Sequence, residues 1–312
     1  MRGQPKVRLT VASGPYIHLA ALGRPYHVDD GFDLRHEVLD PPEILSRMHR
    51  NAAWDIGEMS LATVYMLADQ RDSRFVPLPV FPSREFRHAA LYVRTESPIR
   101  GARDLRGSTV GVLRYAMTTA VWVRGILATQ YDVCRSDLHW VVGDDSPYPS
   151  SLSLRKVAGP ETLERMALAG ELDCLITGRT PASFLDGRLR RLFPDFGTEE
   201  RAYFTSTGIF PIMHVMAAQG SLLQRYAEIV PALLKRFDAA KRDAEHGLLD
   251  FDISMYPVPW LGAHVEEARR RMGELWPYGM EKNRTTLVAF GHMMAADGLT
   301  SRALAPEEVF RL

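Results

Sequence analysis

Arg84, Arg87 and His88 fall within five residues, in the run Phe81-Pro82-Ser83-Arg84-Glu85-Phe86-Arg87-His88. The apolar stretch Ala89-Ala90-Leu91-Tyr92-Val93 follows at once and reads as a buried strand. Two guanidiniums and an imidazole at a strand mouth suit a small carboxylated molecule. Arginine grips a carboxylate with two parallel hydrogen bonds, and histidine carries a proton near neutral pH. The plainer reading pairs both arginines with surface acids such as Glu85 and leaves His88 capping a loop.

Further positions carry similar chemistry. Glu58 and Ser60 follow the short strand Trp54–Gly57, where Glu58 is a base or an ion-pair partner and Ser60 a helix cap. The turn Leu113-Arg114-Tyr115-Ala116-Met117-Thr118-Thr119 opens a helix over Thr118–Tyr131. Either threonine can cap it, and free N–H groups at a helix start attract an anion. Tyr115 and Trp122 could wall an aromatic ring, or simply pack; Arg124 faces a cleft or solvent. His214, in an apolar strand, could oppose His88 or be an ordinary core residue. Trp276-Pro277-Tyr278-Gly279 with Asn283-Arg284 closes a rim or makes a helix-to-helix turn capped by Asn283.

These candidates need a frame to position them. Short apolar runs alternate with longer helical ones across the 312 residues, which indicates an α/β protein. Strands are expected over residues 7–12, 33–39, 54–59, 75–80, 88–93, 109–113 and 173–176, with 184–192 irregular or helical. Helices are expected over 17–22, 41–51, 60–70, 118–131, 161–169, 221–247, 261–274 and 283–297. The pattern suggests two lobes joined by two crossings: 1–94 plus 206–312, with 95–205 inserted. A ligand then sits between lobes, where strand ends and helix starts converge.

Composition sets limits. Thirty-eight basic residues balance 38 acidic ones, so no net field recruits nucleic acid or a membrane surface. Cys134 and Cys174 are 40 residues apart and read as small buried side chains rather than a zinc site or disulfide framework. Met1–Lys6 is short and polar, with no apolar signal core behind it, and no run approaches the roughly 20 apolar residues a membrane span needs. A cytoplasmic protein is the expectation. No GxGxxG, Walker loop, nucleophile elbow or HExxH occurs.

Taken together, several runs resemble the 4,5-dihydroxyphthalate decarboxylase family. They are Asp55–Ser60, Phe81–His88, Asp104–Gly107, Met117–Leu127, Gly208–His214, Trp276–Gly279 and Asn283-Arg284. The resemblance covers most of the chain and implies a two-lobed fold like that of type II periplasmic binding proteins. It also implies non-oxidative loss of CO2 from a hydroxylated aromatic acid, such as 4,5-dihydroxyphthalate going to protocatechuate. The chain departs from the family at Tyr16-Ile17-His18, where Tyr-Asp-Arg is usual, and at Arg114-Tyr115-Ala116, where Glu-Tyr-Gln is usual. Both places should face the cleft, so a related aromatic acid or a different reaction on one stays open. So does a non-catalytic protein that binds or senses aromatic acids, since fold does not settle function.

The chemistry needs a proton at the ring carbon that loses CO2 and a polarised hydroxyl para to it. Arg84 and Arg87 are expected to bind carboxylate, with His88 or His214 delivering the proton. Glu58, the other histidine or Tyr115 would contact the hydroxyl. Tyr16, His18, Ser60, Arg114, Thr118, Thr119 and Trp122 are expected to line the substrate. No organic cofactor is obligatory for this chemistry; a metal, and assembly of like subunits, are left open.

Overall fold

The computed structural model describes residues 7–23, 32–144, 152–249 and 256–311, so Met1–Lys6 lies outside the described residues. The chain opens with β1 (Val7–Ser13), β2 (Phe32–Val38), α1 (Pro41–Asn51), β3 (Ile56–Ser60), α2 (Leu61–Asp69), β4 (Phe75–Pro77) and β5 (Ser83–Arg84). It continues through β6 (Leu91–Arg94), β7 (Thr109–Val112), α3 (Thr118–Tyr131), β8 (His139–Val142), β9 (Leu154–Lys156), α4 (Gly159–Ala169), β10 (Cys174–Ile176), α5 (Ala182–Leu185), β11 (Leu189–Arg191) and α6 (Phe196–Thr207). It closes with β12 (Ile212–Gln219), α7 (Gly220–Arg225), α8 (Val230–Leu249), α9 (Leu261–Met272), α10 (Arg284–Ala296) and α11 (Pro306–Val309).

Two sheets organise these elements. The first runs β2-β1-β3-β12-β4, with β5 also paired to β12; the second runs β11-β6-β10-β7-β8-β9. β12 returns from the far side of the sequence to lie antiparallel between β3 and β4. That placement sets side chains from residues 56–60 beside those from 212–218. β6 pairs with β10 and β11, so the first passage between sheets lies near residues 85–90, one strand earlier than the expected boundary after residue 94. The second passage follows Gly208, whose left-handed φ of 66° ends α6 and which glycine adopts without strain.

α3 ties the sheets together. Every residue from Thr118 to Leu127 is buried. Val121, Trp122 and Ile126 join the core of the first sheet, while Ala120, Val123 and Leu127 join that of the second. A helix apolar on all sides belongs inside a protein, and this one fills the seam.

Several expectations change. The expected helix 221–247 is broken between α7 and α8, because Pro231 lacks an N–H and fits only a helix's first turn. Residues 17–22 hold one tight turn, Ile17–Leu19, rather than a full helix. The segment 184–192 contains a strand, β11. Cys174 is buried as expected, but Cys134 is exposed, because the chain leaves α3 through a left-handed Asp132 and turns at the surface. No described helix is long and apolar enough to cross a membrane.

Candidate active site

Strand register brings the first group of side chains together. His214 lies opposite Ser60 on β3 and Ser83 on β5, and Glu58 lies opposite Met216. Glu58 and His214 are therefore diagonal neighbours, within reach of long side chains. His214 Nδ1 makes a short hydrogen bond to Glu58 Oε1. The same carboxylate accepts the Tyr16 hydroxyl at 2.6 Å and the Gly14 N–H at 2.8 Å. Both come from the turn after β1, where strand ends of an α/β sheet offer a crevice.

Glu58 is fully buried. Burial alone would raise its pKa, but the bond and charge of His214, with the Tyr16 and Gly14 donors, outweigh that and hold it below the ordinary value. It is a fixed negative charge. Tyr16 moves the other way: burial first, then Glu58, keep its phenol protonated well above the usual range. With Nδ1 committed to Glu58, His214 Nε2 is the nitrogen left for chemistry; it has no hydrogen-bond partner among the described residues and is not sealed from solvent.

α3 and the turn after β10 supply the opposite wall. Thr118 Oγ1 shares a hydrogen bond with Ser60 Oγ at 2.8 Å and accepts the Ala62 N–H at 3.1 Å, so it caps α2 from across the seam. Thr119 Oγ1 lies 3.9 Å from Met213 Sδ, which also takes Arg87 Nε at 2.9 Å. A β-carbon built on Gly178 would stand 3.4 Å from Thr119 Oγ1 and 3.6 Å from Arg87 Nη1, placing the turn after β10 on the same wall. At the outer rim Arg179 Nη2 bridges both oxygens of Asp40, at 3.0 and 2.9 Å, joining the two lobes.

Arg87 is the cation of this group. Burial pulls its pKa down to about 10, against the pull of Glu85, Glu200 and Tyr16, and it stays charged at neutral pH. It has no ion-pair partner among the described residues, and its terminal nitrogens make no hydrogen bond. A desolvated guanidinium with no carboxylate in ion-pair contact is a site that a ligand carboxylate stabilises.

Other expected residues stand elsewhere. Arg84 spends its terminal nitrogens on the Pro277 and Phe210 carbonyls and on Asn283 Oδ1, and stacks 4.6 Å from the Phe210 ring. Asn283 in turn holds the Pro277 and Gly279 carbonyls, so its side chain braces this belt instead of capping α10. His88 is buried among Tyr131, Phe193 and Tyr203, its Nδ1 unpartnered, and burial lowers its pKa to about 4. Tyr131 ends α3, about 20 Å along the axis from Thr118. Two candidate histidines thus sit at opposite ends of one helix.

Arg114 reaches out to an exposed ion pair with Asp144, and Tyr115 is buried with its hydroxyl 3.5 Å from the Asp297 carbonyl. Trp122 is buried in the seam and donates to the Ile212 carbonyl at 2.9 Å. His18 stands beside Tyr16 and against Trp276, with Nε2 buried and unpartnered; burial lowers its pKa to about 4. Gly14, Met213 and Gly178 were not singled out from sequence; the first follows a strand end, a signal that could have found it. Among the described residues no group of three or more His, Cys, Asp or Glu side chains is placed to hold a metal ion.

A 4,5-dihydroxyphthalate decarboxylase of Comamonas testosteroni is 33% identical over 318 aligned positions, covering 98% of this chain and 96% of that protein. One of Pseudomonas putida is 34% identical over 192, covering 58% and 74%. No family model matches. Among solved structures, the alkanesulfonate-binding protein SsuA of Xanthomonas axonopodis gives a TM-score of 0.55 at 13% identity, covering 98% of this chain and 99% of that one. The SsuA of Escherichia coli gives 0.54 at 13%, covering 98% and 92%, and the desulfurization enzyme DSZB 0.52 at 16%, covering 97% and 96%. The fold is that of the periplasmic binding proteins, and the chain belongs to the 4,5-dihydroxyphthalate decarboxylase family.

Proposed function

We propose that this protein removes CO2 from a hydroxylated aromatic dicarboxylate, 4,5-dihydroxyphthalate or a close analogue, by protonating the ring carbon that bears the departing carboxylate. The observation that carries the site assignment is the buried Glu58 carboxylate holding His214 and Tyr16, on the side of the cleft where Arg87 lacks a counter-ion.

Arg87 takes the retained carboxylate as a bidentate pair. His214, carrying a proton on Nε2, donates it to the ipso carbon; a C–H bond forms and the positive charge spreads towards the para hydroxyl oxygen. The C–C bond to the carboxylate then breaks, its electron pair restores the aromatic ring, and CO2 leaves. The neutral imidazole regains its proton from water. Glu58 fixes the ring's orientation and offsets its charge while Nε2 is protonated. Tyr16 and the Gly14 N–H keep Glu58 in place, and Ser60, Thr118 and Thr119 offer hydroxyls to the substrate's polar edge.

His88 takes no part in this scheme, since a ring neutral down to about pH 4 has no proton to give at neutral pH. Arg84 and Asn283 brace the Phe210, Pro277 and Gly279 carbonyls instead of binding substrate. The test is incubation of the purified chain with 4,5-dihydroxyphthalate, following CO2 and ring absorbance. Binding without CO2 release across a panel of hydroxylated phthalates would overturn the enzyme in favour of a receptor.

A further inference from the structure

A second cavity, of about 500 Å³, lies away from the Glu58–His214 cluster, between the C-terminal half of α3, the end of α6 and α10. Its lining on α3 runs from Arg124 to Gln130, about 9–18 Å along the axis from Thr118. α3 and α10 touch at Gly125, where a β-carbon would come within 2.2 Å of Met293 Sδ. The cavity opens beside that crossing. Its volume falls in the range of small-molecule sites.

Its walls are largely apolar, with a few polar groups set among them. Among the described residues Tyr203, 2% exposed, has a buried hydroxyl with only the Thr207 side chain near it and no hydrogen bond formed, and Arg124, also 2% exposed, has a buried Nη1 with no partner. Buried donors without acceptors are uncommon in native proteins. The Arg124 charge is matched by Asp297, with Nη2–Oδ2 at 2.6 Å. Arg135 also feels Asp297, so one carboxylate serves two guanidiniums; Arg135 Nη1 meets the Tyr115 hydroxyl at 3.3 Å and the Asp297 carbonyl at 2.6 Å, and among the described residues no carboxylate forms an ion pair with it. Ala128, Ile209 and Met293 supply apolar surface. One unbalanced cation, an idle hydroxyl donor and apolar sides describe a receptor for a flat, singly charged acid.

We propose that this cavity binds a small aromatic monocarboxylate, its carboxylate at Arg135 and Tyr203 and its ring between α3 and α10. The choice of ligand rests on the decarboxylase reading, because losing CO2 from an aromatic dicarboxylate leaves one carboxylate on the ring. Since α3 packs into both sheets' cores, occupancy acts on the catalytic cleft from outside it.

The test is calorimetric titration of the full chain with 3,4-dihydroxybenzoate, and with benzoate, beside product-inhibition kinetics. Two molecules should bind per chain and inhibition should be mixed. Ala289→Trp, which fills the cavity from α10, should bind one and show only competitive inhibition, with kcat within twofold of the parent. Tyr203→Phe keeps the ring and should weaken the second site about 2- to 12-fold, the value of one hydrogen bond, and it serves if Ala289→Trp does not fold. A single site in the parent chain, or a second site untouched in Tyr203→Phe and in folded Ala289→Trp, overturns the proposal. If no hydroxyphthalate is decarboxylated yet Ala289→Trp abolishes one of two sites, the cavity stands and the catalytic reading falls.

Discussion

Arg84 and Arg87 are three residues apart and end in opposite surroundings. Arg84 is enclosed by acceptors that the protein itself provides, the Pro277 and Phe210 carbonyls and Asn283 Oδ1. Arg87 is held by one soft contact to Met213 and keeps its terminal nitrogens unsatisfied. The histidines repeat the contrast. His214 is fixed by a carboxylate, whereas His88 is enclosed by aromatic rings. Residue type offered two cations and two imidazoles; the neighbours decide which stabilise the wall and which await a ligand.

The sharpest way to break this contrast is to exchange the histidines' fates. His214→Ala should lower kcat about 10²- to 10⁴-fold, the usual worth of a general acid, while His88→Phe should change it less than threefold. Steady-state rates of CO2 release decide, and equal losses in both would remove the acid role from His214. Next come the arginines. Arg87→Met should cost about 10²-fold in kcat/KM with little change in melting temperature, from the loss of charge-assisted bonds to carboxylate. Arg84→Met should instead lose about 2–4 kcal/mol of stability in urea titrations and keep kcat in the folded fraction.

A smaller effect separates the histidines by pH. The folded His88 pKa is about 4 against an unfolded value near 6.5, so between those limits the unfolded chain binds more protons. Stability should therefore fall as pH drops from 6.5 towards 4, by up to about 3 kcal/mol from this group. His88→Phe should reduce that slope in denaturation curves at pH 7, 5.5 and 4.5, leaving the share that His18, also lowered to about 4, contributes; an unchanged slope would mean the His88 ring is not held neutral. Smallest of all, Asp40→Asn opens the exposed rim pair with Arg179 and should shift stability by less than about 1 kcal/mol.

The sequence reading recovered what local pattern encodes. The Pro41-Pro42 start of α1 and the length of α3 follow from proline placement and apolar spacing, whereas the expected threonine cap of α3 does not form: Met117 is its N-cap, and Thr118 and Thr119 lie inside the helix. Glu58 and His214 were both singled out, but their pairing was not, because it depends on β12 returning across 150 residues to lie beside β3. The prominence of the 84–88 run misled for a related reason. Nothing local announces that Phe210, Pro277 and Asn283 converge on Arg84, or that Tyr131, Phe193 and Tyr203 surround His88. Pro231 was a legible break inside the long helix expected over 221–247, and it interrupts that helix at its own first turn.

α3 has one further consequence. Its Trp122 belongs to one core and its neighbour Val123 to the other. Pulling either half of the protein apart exposes the same helix to water, so neither half can melt while the other stays native. Thermal denaturation should pass through a single cooperative transition, and nicking the backbone at a connection between halves should leave the pieces associated.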